Sequence, residues 1–103
     1  MVASRDDLPA LFQLGQVTAT QGALRALEDA GEGIAKYLAL HVRGEWGDVC
    51  PEDRKANEDA LRTGARLFSA YLLKNGIRIW IITEAVGDDA KRASTCLLLP
   101  DEY

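Results

Sequence analysis

His41 is the single histidine of the chain, and an imidazole that titrates near neutrality is the side chain best suited to move a proton at physiological pH. Arg78, Glu84 and Arg92 add two cations and a carboxylate, with the hydroxyls of Thr83, Ser94 and Thr95 close by in sequence. Metal-independent RNA cleavage uses such a set: a base for the 2′-hydroxyl, an acid for the leaving oxygen and a guanidinium to hold the phosphate. Each group also has a structural reading. His41 completes an apolar stripe with Ile34, Tyr37 and Leu38 at helical spacing, close to a helix end where the dipole favours a cation. Arg78, Glu84 and Arg92 read equally well as cross-strand ion pairs on a solvated sheet face.

The aromatic residues raise the same choice. Trp46 sits in the connector Glu45–Val49, where an indole either plugs the edge of a core or offers a stacking surface. Tyr71 and Trp80 are expected to face each other across a hairpin, on its less apolar side together with Arg78.

Other chemistries lose support. There is no GxGxxG, GxxxxGK[ST], GxSxG or HExxH pattern, and carboxylate pairs such as Asp88-Asp89 fall in turns and helix starts where capping predicts them. Cys50 and Cys96 lack CxxC spacing and clustered histidines, so they are expected to be reduced thiols, and no metal or cofactor is expected. Twelve basic against sixteen acidic residues give a net charge of −4, spread along the chain, which disfavours a nucleic-acid backbone as partner. The N-terminus carries Arg5, Asp6, Asp7 and Pro9 instead of an apolar signal core, and no stretch reaches the roughly 20 apolar residues of a membrane span. A cytoplasmic protein is expected.

The elements that would position these residues follow from capping and periodicity. At 103 residues and 48% apolar content, residues 1–103 are expected to form one domain, with residues 1–11 as a loose lead-in. Phe12, Leu14 and Val17 suggest a short extended segment or strand. Thr20 is expected to cap a first helix that Gly31 ends, a second runs from about Gly33 to Gly44, and Pro51 opens a third that stops at Gly64. Asn75-Gly76 between β-forming runs predicts a hairpin with a two-residue type I′ turn, pairing Leu72 with Ile79, Ala70 with Ile81 and Tyr71 with Trp80. Ser94 to Leu99 adds a third strand that Pro100 ends. The expected fold is α+β: three helices, then a three-stranded antiparallel meander.

Several stretches resemble a group of small uncharacterised bacterial proteins encoded on plasmids and other mobile elements. These are Leu14-Gly15-Gln16-Val17, Ala19-Thr20, Gly22-Ala23-Leu24, His41, Gly44 to Val49, Ile79 to Ala85 and Leu97 to Tyr103. That resemblance implies a genomic setting and no chemistry. The order of elements is also similar to the ribonuclease-toxin fold of the barnase-like and RelE-like groups, a likeness of fold alone. The leading expectation is therefore a non-enzymatic accessory protein that binds another protein through Trp46, Tyr71, Arg78 and Trp80. Its alternative is a ribonuclease using His41, Arg78, Glu84 and Arg92.

Overall fold

The computed structural model describes residues 9–103, so most of the expected lead-in lies outside the described residues. The order is β1 (Gln16–Ala19), α1 (Gln21–Ala30), α2 (Ile34–Val42), α3 (Pro51–Thr63), β2 (Leu67–Leu72), β3 (Arg78–Thr83), β4 (Ser94–Leu98) and a closing 3-10 turn, Pro100–Glu102. The first and third helices begin and end where their caps predict, while α2 ends at Val42 with Arg43 as its cap, one residue before the expected Gly44. The Thr20 hydroxyl accepts the Ala23 N–H, Gly31 closes α1 in the left-handed conformation, and Pro51 opens α3 with Glu52 and Asp53 in its first turn.

The sheet differs from the expected three-stranded antiparallel meander: it has four strands in the order β1-β4-β3-β2, and β1 runs parallel to β4. The short segment docks on the free edge of β4, where the Gln16 N–H reaches the Ala93 carbonyl at 3.0 Å and the Thr20 N–H reaches that of Leu97 at 2.9 Å. Three helices carry the chain across the sheet to β2, and the meander then returns it beside β1.

The hairpin forms, but with a three-residue loop. Only Gly76 has positive φ there, at 84°, so Asn75 does not supply the second left-handed residue that a type I′ turn demands. The Gly76 N–H bonds the Leu73 carbonyl and the Leu73 N–H bonds that of Ile77, which places Lys74, Asn75 and Gly76 in the loop. Asn75 instead ties the loop down, accepting from the Ile77 N–H and donating to the Ala26 carbonyl of α1. The ladder shifts by one residue: Leu72 pairs with Arg78, Tyr71 with Ile79, Ala70 with Trp80 and Phe68 with Ile82. A one-residue shift exchanges the faces of a whole strand.

The inner face therefore carries Leu67, Ser69, Tyr71 and Leu73 from the β2 arm, Ile79, Ile81 and Thr83 from β3, and Thr95 and Leu97 from β4, all buried. Ala23, Ala26 and Leu27 of α1 and Tyr37 of α2 pack on its aliphatic part. Trp46, Ala60 and Leu67 form a second cluster beside it, with Phe12 and Leu61 against them.

The β2 edge is closed without another strand. The Asn57 side chain donates to the Phe68 carbonyl at 2.7 Å and accepts the Phe68 N–H at 3.0 Å, occupying the place of a neighbouring peptide group. One step along, Ala70 exchanges bonds with the Trp46 carbonyl and the Asp48 N–H. That contact demands glycine at 47, where φ is 76° and an added Cβ would stand 2.0 Å from the Ala70 oxygen.

Candidate functional site

Two arrangements on opposite faces of the sheet account for the residues whose chemistry drew attention. Inside, His41 of α2 is fully enclosed, 0% exposed, between β2 and β3. Its Nδ1 lies 2.5 Å from Ser69 Oγ and its Nε2 lies 2.8 Å from Thr83 Oγ1. Thr83 Oγ1 is 2.7 Å from Thr95 Oγ1, and Thr95 donates to the Leu14 carbonyl at 2.7 Å.

Because a hydroxyl has one proton to give, the direction of every bond in this chain is fixed. Thr95 spends its proton on Leu14, so Thr83 must donate to Thr95. Thr83 then has no proton left for the ring, so His41 Nε2–H donates to Thr83 and Nδ1 accepts from Ser69. The imidazole is thus the neutral Nε2–H tautomer. A proton on Nδ1 would reverse the Ser69 bond, the hydroxyl then accepting, and would place a second positive charge in the enclosed chamber near Arg92. Burial, helped by the positive charge of Arg92, pulls the His41 pKa down to about 3. A serine 2.5 Å from an imidazole is the contact of an activated nucleophile, yet Ser69 is itself fully buried.

Aromatic rings seal this chamber. Phe12 lies edge-on to His41 at 5.1 Å, and Trp46 does so at 5.8 Å while stacking on Phe12 at 6.2 Å. Trp46 is 1% exposed, so it plugs the core and presents no surface to a partner.

Arg92 closes the chamber from the side. Its guanidinium donates to the carbonyls of Ala65 at 2.7 Å, Glu84 at 2.9 Å and Ala60 at 3.2 Å, joining the end of α3 to the end of β3, and it lies over the Phe12 ring.

The proposed catalytic set does not converge. His41 is enclosed, Arg92 is held by backbone carbonyls, and Glu84 is exposed at one end of β3. Arg78 is at the other end, roughly 20 Å away by the rise of an extended strand, where it pairs with Asp48 at 3.0 Å.

The expected Tyr71–Trp80 platform does not form either, because the shifted ladder sends the two rings to opposite faces. Tyr71 points inward, packs at a tilt against Tyr37 with ring centroids 5.1 Å apart and donates its hydroxyl to the Glu45 carbonyl at 2.6 Å; burial raises its pKa to about 12. Trp80 stands on the outer face with Phe68, Ala70, Ile82 and Leu98.

Two residues that sequence reasoning did not single out complete a notch there. Phe68 lies edge-on to Trp80 at 5.0 Å, and Tyr103 lies edge-on from the other side at 5.7 Å. Glu102 pins the C-terminal turn that delivers Tyr103, accepting from the Thr20 hydroxyl at 2.6 Å and the Leu99 N–H at 2.7 Å. Arg66 sits over the Tyr103 ring and donates to its hydroxyl. The notch holds about 190 Å³ between Phe68, Trp80, Ile82 and Tyr103, with Arg66 and Asp53 at its rim. Phe68 was hidden by the assumed register, and Tyr103 carries no local signal because a tertiary contact places it.

Among the described residues no group of three His, Cys, Asp or Glu side chains is gathered to hold a metal ion, and no helix is long and apolar enough to cross a membrane. No protein-family model, curated protein or solved structure matches the chain.

Proposed function

We propose that this protein is a non-enzymatic binding module that seats one large apolar side chain of a protein partner in the Phe68–Trp80–Tyr103 notch. The observation that carries this reading is the open aromatic notch on the outer sheet face, while α1 and α2 cover the inner one. Its volume suits a single leucine, methionine or phenylalanine side chain, and its rim offers one cation and one carboxylate for the flanking polar groups. On the same face, Leu72 is 53% exposed beside Arg78. Trp, Tyr and Arg are the residues that most often anchor protein interfaces. The net charge of −4 favours a protein over a nucleic-acid backbone, and the likeness of the sequence stretches to mobile-element proteins suggests an accessory setting.

A random peptide library panned on the purified chain tests this reading. The selected peptides are expected to share a large apolar anchor, and Trp80→Ala should weaken them by about 2 kcal/mol, roughly thirtyfold. Tyr71→Phe, altered on the inner face, should bind as wild type does. Peptides that bind Trp80→Ala as tightly as wild type would refute the assignment.

A further inference from the structure

A second cleft, of about 600 Å³, opens on another part of the molecule, between the C-terminal end of α3 and the loop joining β3 to β4. We propose that it binds a small amphipathic oxyanion: a phosphate or carboxylate carried on an aromatic or alkyl body.

Charge is the first argument. Arg62, Lys91 and Arg92 line the cleft against the single carboxylate of Asp89, an excess of cations that runs against the acidic balance of the whole chain. Arg92 is 8% exposed, and among the described residues its hydrogen-bond partners are three neutral carbonyls. A guanidinium withdrawn from water without a carboxylate keeps its full charge in a region of low polarisability, where an arriving anion gains most. Among the described residues Asp89 forms no ion pair with Arg92; its Oδ1 accepts the Lys91 backbone N–H, which holds its charge at the turn. Lys91 is exposed, and Arg62 keeps 74% of its side chain in solvent while pairing with Asp59 at 2.9 Å, a surface pair weak enough for its guanidinium to turn toward a ligand.

The walls supply the second argument. Phe12, Leu61 and Val86 present apolar surface beside these cations, and Val86 is 41% exposed. The Val86 N–H bonds the Gly64 carbonyl at 2.7 Å, so the loop is fixed to the end of α3 and the cleft is preformed. An inorganic ion would meet only the cations, whereas an anion with an apolar body uses both surfaces.

The test is a two-dimensional amide NMR titration of the full chain with phenyl phosphate, with phenol as the uncharged control. Phenyl phosphate at millimolar concentration is expected to move the amides of Gly64, Ala90 and Lys91 to saturation while leaving Trp80 unmoved, which separates this site from the aromatic notch. The Arg62→Ala, Lys91→Ala double variant alters only the solvent-exposed rim, so it keeps the fold, and it should bind about tenfold or more weakly. An equal response to phenol, the absence of shifts at these amides, or an unchanged titration in the double variant would each overturn the proposal.

Discussion

Replacing Arg92 with leucine is expected to lower the unfolding free energy by about 3 kcal/mol, because three hydrogen bonds from a charged donor to backbone carbonyls are lost at once. The guanidinium is the common partner of the Ala60, Ala65 and Glu84 carbonyls, so its loss loosens the end of α3, the α3–β2 connection and the end of β3 together. Leucine is apolar and similar in girth at its root, so the loss measures the hydrogen bonds more than packing. For a domain near 100 residues each kcal/mol lowers the Tm by about 4–8 °C, which gives a fall of more than roughly 12 °C. Urea denaturation should show a lower midpoint with an unchanged slope. A change within about 0.5 kcal/mol would instead mark Arg92 as a solvated surface cation.

Trp46→Ala is expected to cost about 3–5 kcal/mol, the range for deleting a buried aromatic side chain. The indole is the largest member of its cluster, and it supports Phe12 and the edge of His41 at the same time. Its removal leaves a cavity that Gly47 prevents from closing, since the Trp46 and Asp48 backbones are fixed to Ala70. Trp46→Phe should recover part of the loss. A fall of less than about 1 kcal/mol in the alanine variant would place the ring on the surface, where it would again be a candidate for binding. The outer-face change Trp80→Ala alters a half-buried ring whose proposed role is binding, so the two tryptophans are expected to separate stability from recognition.

Much of the architecture was legible because it rests on local chemistry. Thr20, Gly31, Pro51 and Gly64 mark helix ends through their own side chains or backbone freedom, and the structure uses each as expected. The inner face of β3 was also legible, since Ile79 and Ile81 alternate with Trp80 whatever strand lies beside them. The face of β2 was not. Asn75-Gly76 signals a reversal, but whether Lys74 belongs to the strand or the loop is decided by tertiary bonds, among them Lys74 N–H to Glu32 and Asn75 to Ala26. One residue in the loop then moved Tyr71 inward and Phe68 outward. The parallel pairing of β1 with β4 was out of reach for a similar reason, because it joins residues some eighty positions apart and no local pattern encodes it.

The candidate site shows the same division. His41 completes the apolar stripe with Ile34, Tyr37 and Leu38, which places it inside, but burial between Ser69 and Thr83 overrides the cation that its place near a helix end favours. Its partners were less visible, since Ser69, Thr83 and Thr95 look like ordinary strand residues until the register sets all three on the inner face. Arg92 looked like a surface cation because no sequence pattern shows that three backbone carbonyls will converge on it.

The central claim is that His41 is a neutral, enclosed member of a directed hydroxyl chain, out of reach of any substrate in solvent. The direct measurement is the ¹⁵N shift of both ring nitrogens followed from pH 8 downward. The expected result is an Nε2–H imidazole that stays neutral through pH 5 and takes up a proton only near pH 3. Because the unfolded chain protonates this residue at its ordinary value of 6.5, stability is full above that pH and declines as pH falls toward 3, by up to about 1.4 kcal/mol per pH unit. An imidazole that titrates near 6.5 in the folded protein, or one protonated at Nδ1 at neutral pH, would contradict the account.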